Sequence, residues 1–121
     1  AEDVIVPFEN VEWTMTGNPA LQVMVLAGDP RGEGPYSMLI KAAPGTEIPP
    51  HSHPDAWRHS TVVSGSIAFG VGSEWDEAAL VVLSPGSFWT EAPDVPHFIR
   101  VGVEEAVVLL TAFGPAGMSM A

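Results

Sequence analysis

The sequence predicts an all-β domain, a sandwich or barrel, and three observations carry that prediction. Twelve glycines and twelve prolines are spread along the 121 residues rather than gathered in one tract. They cut the chain into short apolar runs rich in Val, Leu, Ile, Phe and Trp, the composition that suits a pleated, half-buried surface. No segment sustains a 3.6-residue apolar period over three turns, and the best helical candidate, residues 74–79, is too short to organise a core.

Strands are expected at residues 11–15, 21–27, 36–43, 58–63, 67–71, 79–83, 87–91, 97–101 and 106–112. Between them stand turn signals: Gly17-Asn18-Pro19, the stretch from Gly28 to Gly32, Pro44-Gly45, Ser64-Gly65, Pro85-Gly86 and Pro93-Asp94. Many short strands leave backbone edges unpaired unless the sheet closes or doubles, hence the sandwich or barrel. The first ten residues and the tail from Gly114 are the expected loose ends. Trp13, Trp57, Phe69, Trp75, Phe88, Trp89 and Phe98 fall on or near these strands, and packing in a core or interface is the first reading of each. Trp89 and Phe98 flank the approach to and from His97 and are also candidates for a pocket wall. Met118 and Met120 have the spacing of a soft-metal pair, but their place in the expected tail favours a floppy segment.

The length fits one domain with a real core, and 46% hydrophobic residues support that. No apolar run approaches the roughly 18 residues needed to cross a bilayer. A formal charge of −11 would repel phosphate backbones and anionic lipid, so neither nucleic acid nor membrane is an expected partner. Without cysteine, any metal site must use histidine, carboxylate or water. The chain begins Ala-Glu-Asp, which leaves open a periplasmic or secreted protein freed from a signal peptide, and otherwise a cytoplasmic one.

Chemistry concentrates in Gly45-Thr-Glu-Ile-Pro-Pro-His51-Ser-His53-Pro-Asp-Ala-Trp-Arg58-His59, which holds three of the four histidines. Residues two apart on a strand share a face, so His51 and His53 can aim two imidazoles at one point, as metal binding requires. Pro49-Pro50 stiffens the approach, and Pro96-His97 begins a later strand whose histidine could face the first pair across a barrel.

Gly45, His51, His53 and Gly65 match the first motif of the cupin superfamily at its spacing, and Gly86 and His97 match the second. The stretches 28–30, 48–54, 59–65 and 85–88 are similar to those of its small single-domain (monocupin) group, which is largely uncharacterised. The resemblance implies one cupin-type double-stranded β-helix, or jelly roll, over residues 1–121, with a core barrel at about 28–115 and strands from 11–27 added to the sheet. It also implies one divalent transition metal ion (Fe, Mn, Ni, Cu or Zn) held by His51, His53 and His97, with positions left for water, oxygen or substrate. A homodimer is expected, and the apolar runs 23–27 and 106–112 would suit pairing between copies.

The sequence departs from the family pattern twice. Ala92 and Asp94 stand at the Pro and Gly of the second motif, although Asp can adopt the left-handed conformation that glycine usually supplies. The motif's glutamate, normally a fourth ligand, is Arg58, which cannot ligate a metal. Three readings follow: a three-histidine site with an extra open position; a bulge that turns His59 inward as fourth ligand; or a metal-free cupin in which Arg58 anchors a substrate carboxylate or phosphate. Strict alternation argues against the second, since it puts Arg58 and His59 on opposite faces. Glu47, Glu91 or a metal-bound water could do acid–base work, though the glutamates read first as ordinary solvated carboxylates.

The leading functional expectation is a metalloenzyme acting on a small organic, in one version anionic, substrate by dioxygenase, lyase or isomerase/cyclase chemistry. The alternative is a non-catalytic module that binds a small molecule or a metal in the same barrel.

Overall fold

The computed structural model describes residues 2–121. The strands are β1 (Thr14–Met15), β2 (Leu21–Ala27), β3 (Gly34–Ala42), β4 (Glu47–Ser52), β5 (Arg58–Ser64), β6 (Ile67–Val71), β7 (Val81–Leu83), β8 (Phe88–Glu91), β9 (His97–Val101), β10 (Ala106–Gly114) and β11 (Ser119–Met120). They form two antiparallel sheets, one ordered β1-β2-β3-β10-β5-β8 and the other β11-β4-β9-β6-β7. Two sheets that bury their inner faces against each other make the expected all-β jelly roll. Among the described residues, helix is confined to two 3₁₀ turns, Phe8–Asn10 and Glu77–Ala79, the second capped by the Asp76 carboxylate accepting from the Ala78 N–H. No helix among the described residues is long and apolar enough to cross a membrane.

All nine expected strands are present, some trimmed, and two more appear. One is β4, which carries His51. Its Pro49-Pro50 pair suggests an interrupted strand, yet the register with β9 shifts between Ile48 and His51. Proline is tolerated at such an irregularity because no ladder N–H is needed there. The other is β11, in the tail expected to be loose. It adds to the outer edge of β4, with Ser119 opposite Ser52 and Met120 opposite His51, and Ala121 donates to the Pro50 carbonyl at 3.0 Å.

Packing between the sheets follows the period-2 alternation. On β5, Arg58, Ser60 and Val62 point inward while His59 is exposed. One cluster joins Ala42, Val62, Ile67, Val101 and Ala106, with Phe69 and Trp89 packed against it; a second joins Tyr36, Leu110 and Ala112. Phe98 is fully buried, its ring lying where a side chain on Gly70 would be, and packs against Trp75. It belongs to the core rather than to a pocket wall. Gly65, the last glycine of the first motif, has φ +71°, and any side chain there would run into the Glu105 carbonyl; only glycine meets both demands.

One of the two expected pairing surfaces fails on topology: β10 lies between β3 and β5, so 106–112 has no unpaired edge to offer a second chain. β1 covers only Gln22 and Val23 of β2, so among the described residues no strand pairs with the outer side of 24–27. The edge strands are β1, β8, β7 and β11.

Candidate metal centre

His51 and His97 are direct partners across the β4–β9 ladder, so their side chains leave the sheet on the same face. His53 follows just beyond the end of β4 and completes a cluster in which the ring centroids of His97 and His53 lie 4.3 and 5.0 Å from that of His51. One ring nitrogen from each residue lies within 4.8 Å of the others. The turn before β9 takes the expected form: Asp94 has φ 62°, and its N–H donates to the His53 carbonyl at 2.9 Å. The aspartate thus does the work of the motif glycine and ties the His97 strand to the His51–His53 segment.

Hydrogen bonds set the orientation of two rings. His51 Nδ1 lies 2.8 Å from the Pro49 carbonyl and His53 Nδ1 lies 2.7 Å from the Gly117 carbonyl. A carbonyl only accepts, so each Nδ1 carries the proton, and in the neutral ring each Nε2 keeps its lone pair. His97 Nε2 is buried and has no hydrogen-bond partner. Burial pushes the His97 imidazole down to about 4, against the opposing pull of the Glu91 charge. His53 is lowered first by burial and then by the Arg58 charge. Two rings that their surroundings hold neutral, His97 and His53, with His51 beside them and an orphaned nitrogen, fit a divalent transition metal, whose ligands must be unprotonated.

The six-stranded sheet faces this cluster with charge. Arg58 on β5 and Glu91 on β8 are register partners, and both are buried. Arg58 Nε donates to Glu91 Oε1 at 2.7 Å, while its Nη1 reaches Asp55 Oδ1 and the Tyr36 hydroxyl, both at 3.4 Å. Tyr36 donates to Asp55 Oδ2 at 2.6 Å, and Trp89 Nε1 donates to Glu91 Oε2 at 3.0 Å. Burial opposes ionisation of Glu91, but the Arg58 guanidinium, His97 and the hydrogen bonds from Trp89 and Arg58 outweigh it and hold the carboxyl below its usual range. For Tyr36, burial and the hydrogen bond to Asp55 push the phenol well above its ordinary value.

Several sequence expectations are settled by position. Arg58 points into the barrel, as alternation requires. His59 lies on the opposite face, exposed, against Trp57 and Phe88, and is not brought to the histidine cluster; no bulge turns it inward. Glu47 is exposed and pairs with Arg100 at 2.7 Å, as an ordinary surface carboxylate. Glu91 is not solvated: it is 7% exposed and lies between Arg58 and His97. Its signal in the sequence was parity, since Trp89 and Glu91 share one face of a short strand that runs toward the second histidine motif. Met118, although largely exposed, is among the residues that line the interior cavity, so the tail contributes to the site instead of trailing from it.

That cavity has a volume of about 150 Å³. Its polar end is formed by the three histidines with Arg58, Ser60 and Glu91; the remainder is apolar, with Ile67, Trp89, Ile99 and Val101 among its walls.

Residues 38–113, more than half of the chain, match the sequence model of the cupin domain. The chain is a cupin. Solved structures agree in fold. An uncharacterised conserved protein with a double-stranded β-helix domain from Klebsiella pneumoniae subsp. pneumoniae is 24% identical, with a TM-score of 0.72 over 99% of this cupin and 98% of that chain. A cupin-superfamily sugar phosphate isomerase from Silicibacter pomeroyi is 13% identical, with a TM-score of 0.72 over 97% and 81%. A structure from a study of DMSP lyases is 20% identical, with a TM-score of 0.72 over 92% of this cupin and 62% of that chain. Likeness at these identities is one of fold. No curated protein matches the chain by sequence.

Proposed function

We propose that this cupin binds one divalent transition metal ion (Fe, Mn, Ni, Cu or Zn) through His51, His53 and His97 and acts as an enzyme on a small, largely apolar organic molecule with one polar head. The observation that carries the metal reading is the orphaned, buried Nε2 of His97 beside two imidazoles whose Nδ1 atoms are already committed to carbonyls. A bound ion would supply a Lewis acid with open positions for a substrate oxygen. The protein supplies the rest: the carbonyls of Pro49 and Gly117 fix the imidazoles, and the apolar wall excludes water and holds the substrate body.

The cavity bounds the substrate. Its volume of about 150 Å³ equals that of an engineered apolar cavity known to admit benzene, so the substrate body is about that size. Counting Arg58, Glu91 and Asp55 as ionised, the buried charge beside the histidines is −1. A dication changes it to +1, which a single anionic head would neutralise. Lyase or isomerase chemistry has precedent on this fold in the solved structures named as a sugar phosphate isomerase and as DMSP lyases, and oxygen chemistry belongs to the same proposal if the ion is redox-active.

The alternative reading, a binding module without catalysis, draws support from Glu91: both of its oxygens already accept hydrogen bonds from protein donors, which weakens it as a general base. The homodimer also stays a proposal, with the edge strands as its available surfaces and sedimentation velocity as its check.

Elemental analysis of protein purified without an affinity tag or chelator tests the metal reading. One equivalent of transition metal is expected, and none in the His51→Ala/His53→Ala variant. Absence of metal from both would replace this reading with the metal-free module. Iron, manganese or copper would direct substrate screening to oxygen chemistry, and zinc to lyase and cyclase chemistry.

A further inference from the structure

Glu91 is a buried charged group within 4 Å of two of the histidines, and position 58 lacks the carboxylate that the motif would place there. We propose that Glu91 is the carboxylate ligand of the metal, supplied from β8 in place of the residue that β5 withholds, with Arg58 and Trp89 as its positioning residues. The proposal rests on the three-histidine reading above.

Distance is the first argument. Glu91 Oε2 lies 3.4 Å from His97 Nε2, and Oε1 lies 3.8 Å from His53 Nε2. Two donors that each sit about 2.1 Å from one ion are separated by about 3.0 Å in adjacent octahedral positions, about 3.4 Å in tetrahedral ones and about 4.2 Å when opposite. Both contacts fall inside that range. The second argument is that nothing in the protein joins the nearer pair: His97 Nε2 has no hydrogen bond despite the carboxylate 3.4 Å away. In the tautomer that leaves Nε2 unprotonated, as a metal ligand must be, its lone pair and the carboxylate oxygen repel at that separation, and a cation between them reverses the sign.

The third argument is how the carboxylate is held. Arg58 Nε takes one lone pair of Oε1 and Trp89 Nε1 one of Oε2, which leaves each oxygen a second lone pair. Metal-bound carboxylates are themselves hydrogen-bonded by an outer layer of residues, and these two donors make such a layer. Arg58 thereby has a role compatible with a nearby cation: it stands behind the carboxylate, its own charge met by Glu91 and Asp55.

The test is a titration of metal-free protein with Co²⁺, read as affinity and as the visible ligand-field spectrum. Wild-type protein should bind one Co²⁺. Glu91→Gln should bind at least about 100-fold more weakly, beyond what loss of an outer partner costs, with shifted bands, because a carboxylate has left the coordination sphere. Glu91→Gln leaves Arg58 short of a buried partner and risks misfolding, so an Arg58→Gln/Glu91→Gln double variant, which removes both charges together, carries the same expectation. Wild-type affinity and spectrum in either variant would overturn Glu91 as a ligand and leave the three histidines standing. Failure of the wild-type protein to bind Co²⁺ would overturn the metal reading and this proposal with it.

Discussion

The five-stranded sheet brings neutral imidazoles to the site, His51 from β4 and His97 from β9, whereas the six-stranded sheet brings charge, Arg58 from β5 and Glu91 from β8. The charged side is complete within the protein: Arg58, Glu91, Asp55 and Tyr36 satisfy one another through hydrogen bonds. The imidazole side is not, because His97 Nε2 has no partner. Groups satisfied by protein partners contribute to folding whether or not a ligand is present, while groups that converge without partners stabilise only what binds them. The two faces should therefore respond differently to mutation.

The largest effect is expected from breaking the charged face. Arg58→Met removes the cation beside two buried carboxylates and should cost about 3–5 kcal/mol in urea unfolding measured in chelator. On the other face, His97→Leu replaces an unsatisfied buried nitrogen with an apolar side chain of comparable bulk, so unfolding in chelator should be unchanged or slightly more difficult. The variant should instead lose the metal-dependent stabilisation, about 2.7 kcal/mol at a metal concentration 100-fold above Kd. If both variants lose stability equally in chelator, the contrast between the faces is wrong.

Next in size is Tyr36→Phe, which deletes the donor to Asp55 Oδ2 and should cost about 2 kcal/mol, within the range for a hydrogen bond to a charged group. Tyr36 is the only tyrosine in the chain, so its ionisation can be followed directly by phenolate absorbance. Its folded pKa is raised by burial and by Asp55. The unfolded chain therefore releases this proton first, the native state binds more protons above pH 10, and stability should fall as pH rises beyond about 10. Phenolate absorbance should lag in native protein and appear near pH 10 in urea; matching titrations would remove Tyr36 from the buried network. The smallest effect is expected from deleting residues 118–121, which frees the Gly117 carbonyl from its place behind His53. Metal affinity should fall about tenfold, the lower end of the outer-partner range, with unfolding in chelator little changed.

What was legible in the sequence was whatever period and spacing encode. Alternation placed Arg58 inside and His59 outside, turn chemistry allowed Asp94 its positive φ, and the separated motifs named the three histidines that the fold brings together. The misses share a cause, since each depends on a partner distant in sequence. β11 forms because β4 has an edge to fill, and nothing local in Ser119-Met120 says so. Glu91 is buried because it lies opposite Arg58, and a carboxylate in a chain of net charge −11 gives no local sign of that. Residues 106–112 look like an edge by composition, but strand order decides which strands are edges, and order is a property of the whole sheet.

The Arg58–Glu91 pairing also constrains how this chain can change over time. The two residues face each other across adjacent strands and share one buried bond, so replacing either alone strands a charge in the interior. A lineage can move between arginine and glutamate at position 58 only if position 91 moves with it. Among relatives these two columns should vary as a unit, with a carboxylate at one or the other and never an arginine at 58 facing an apolar residue at 91.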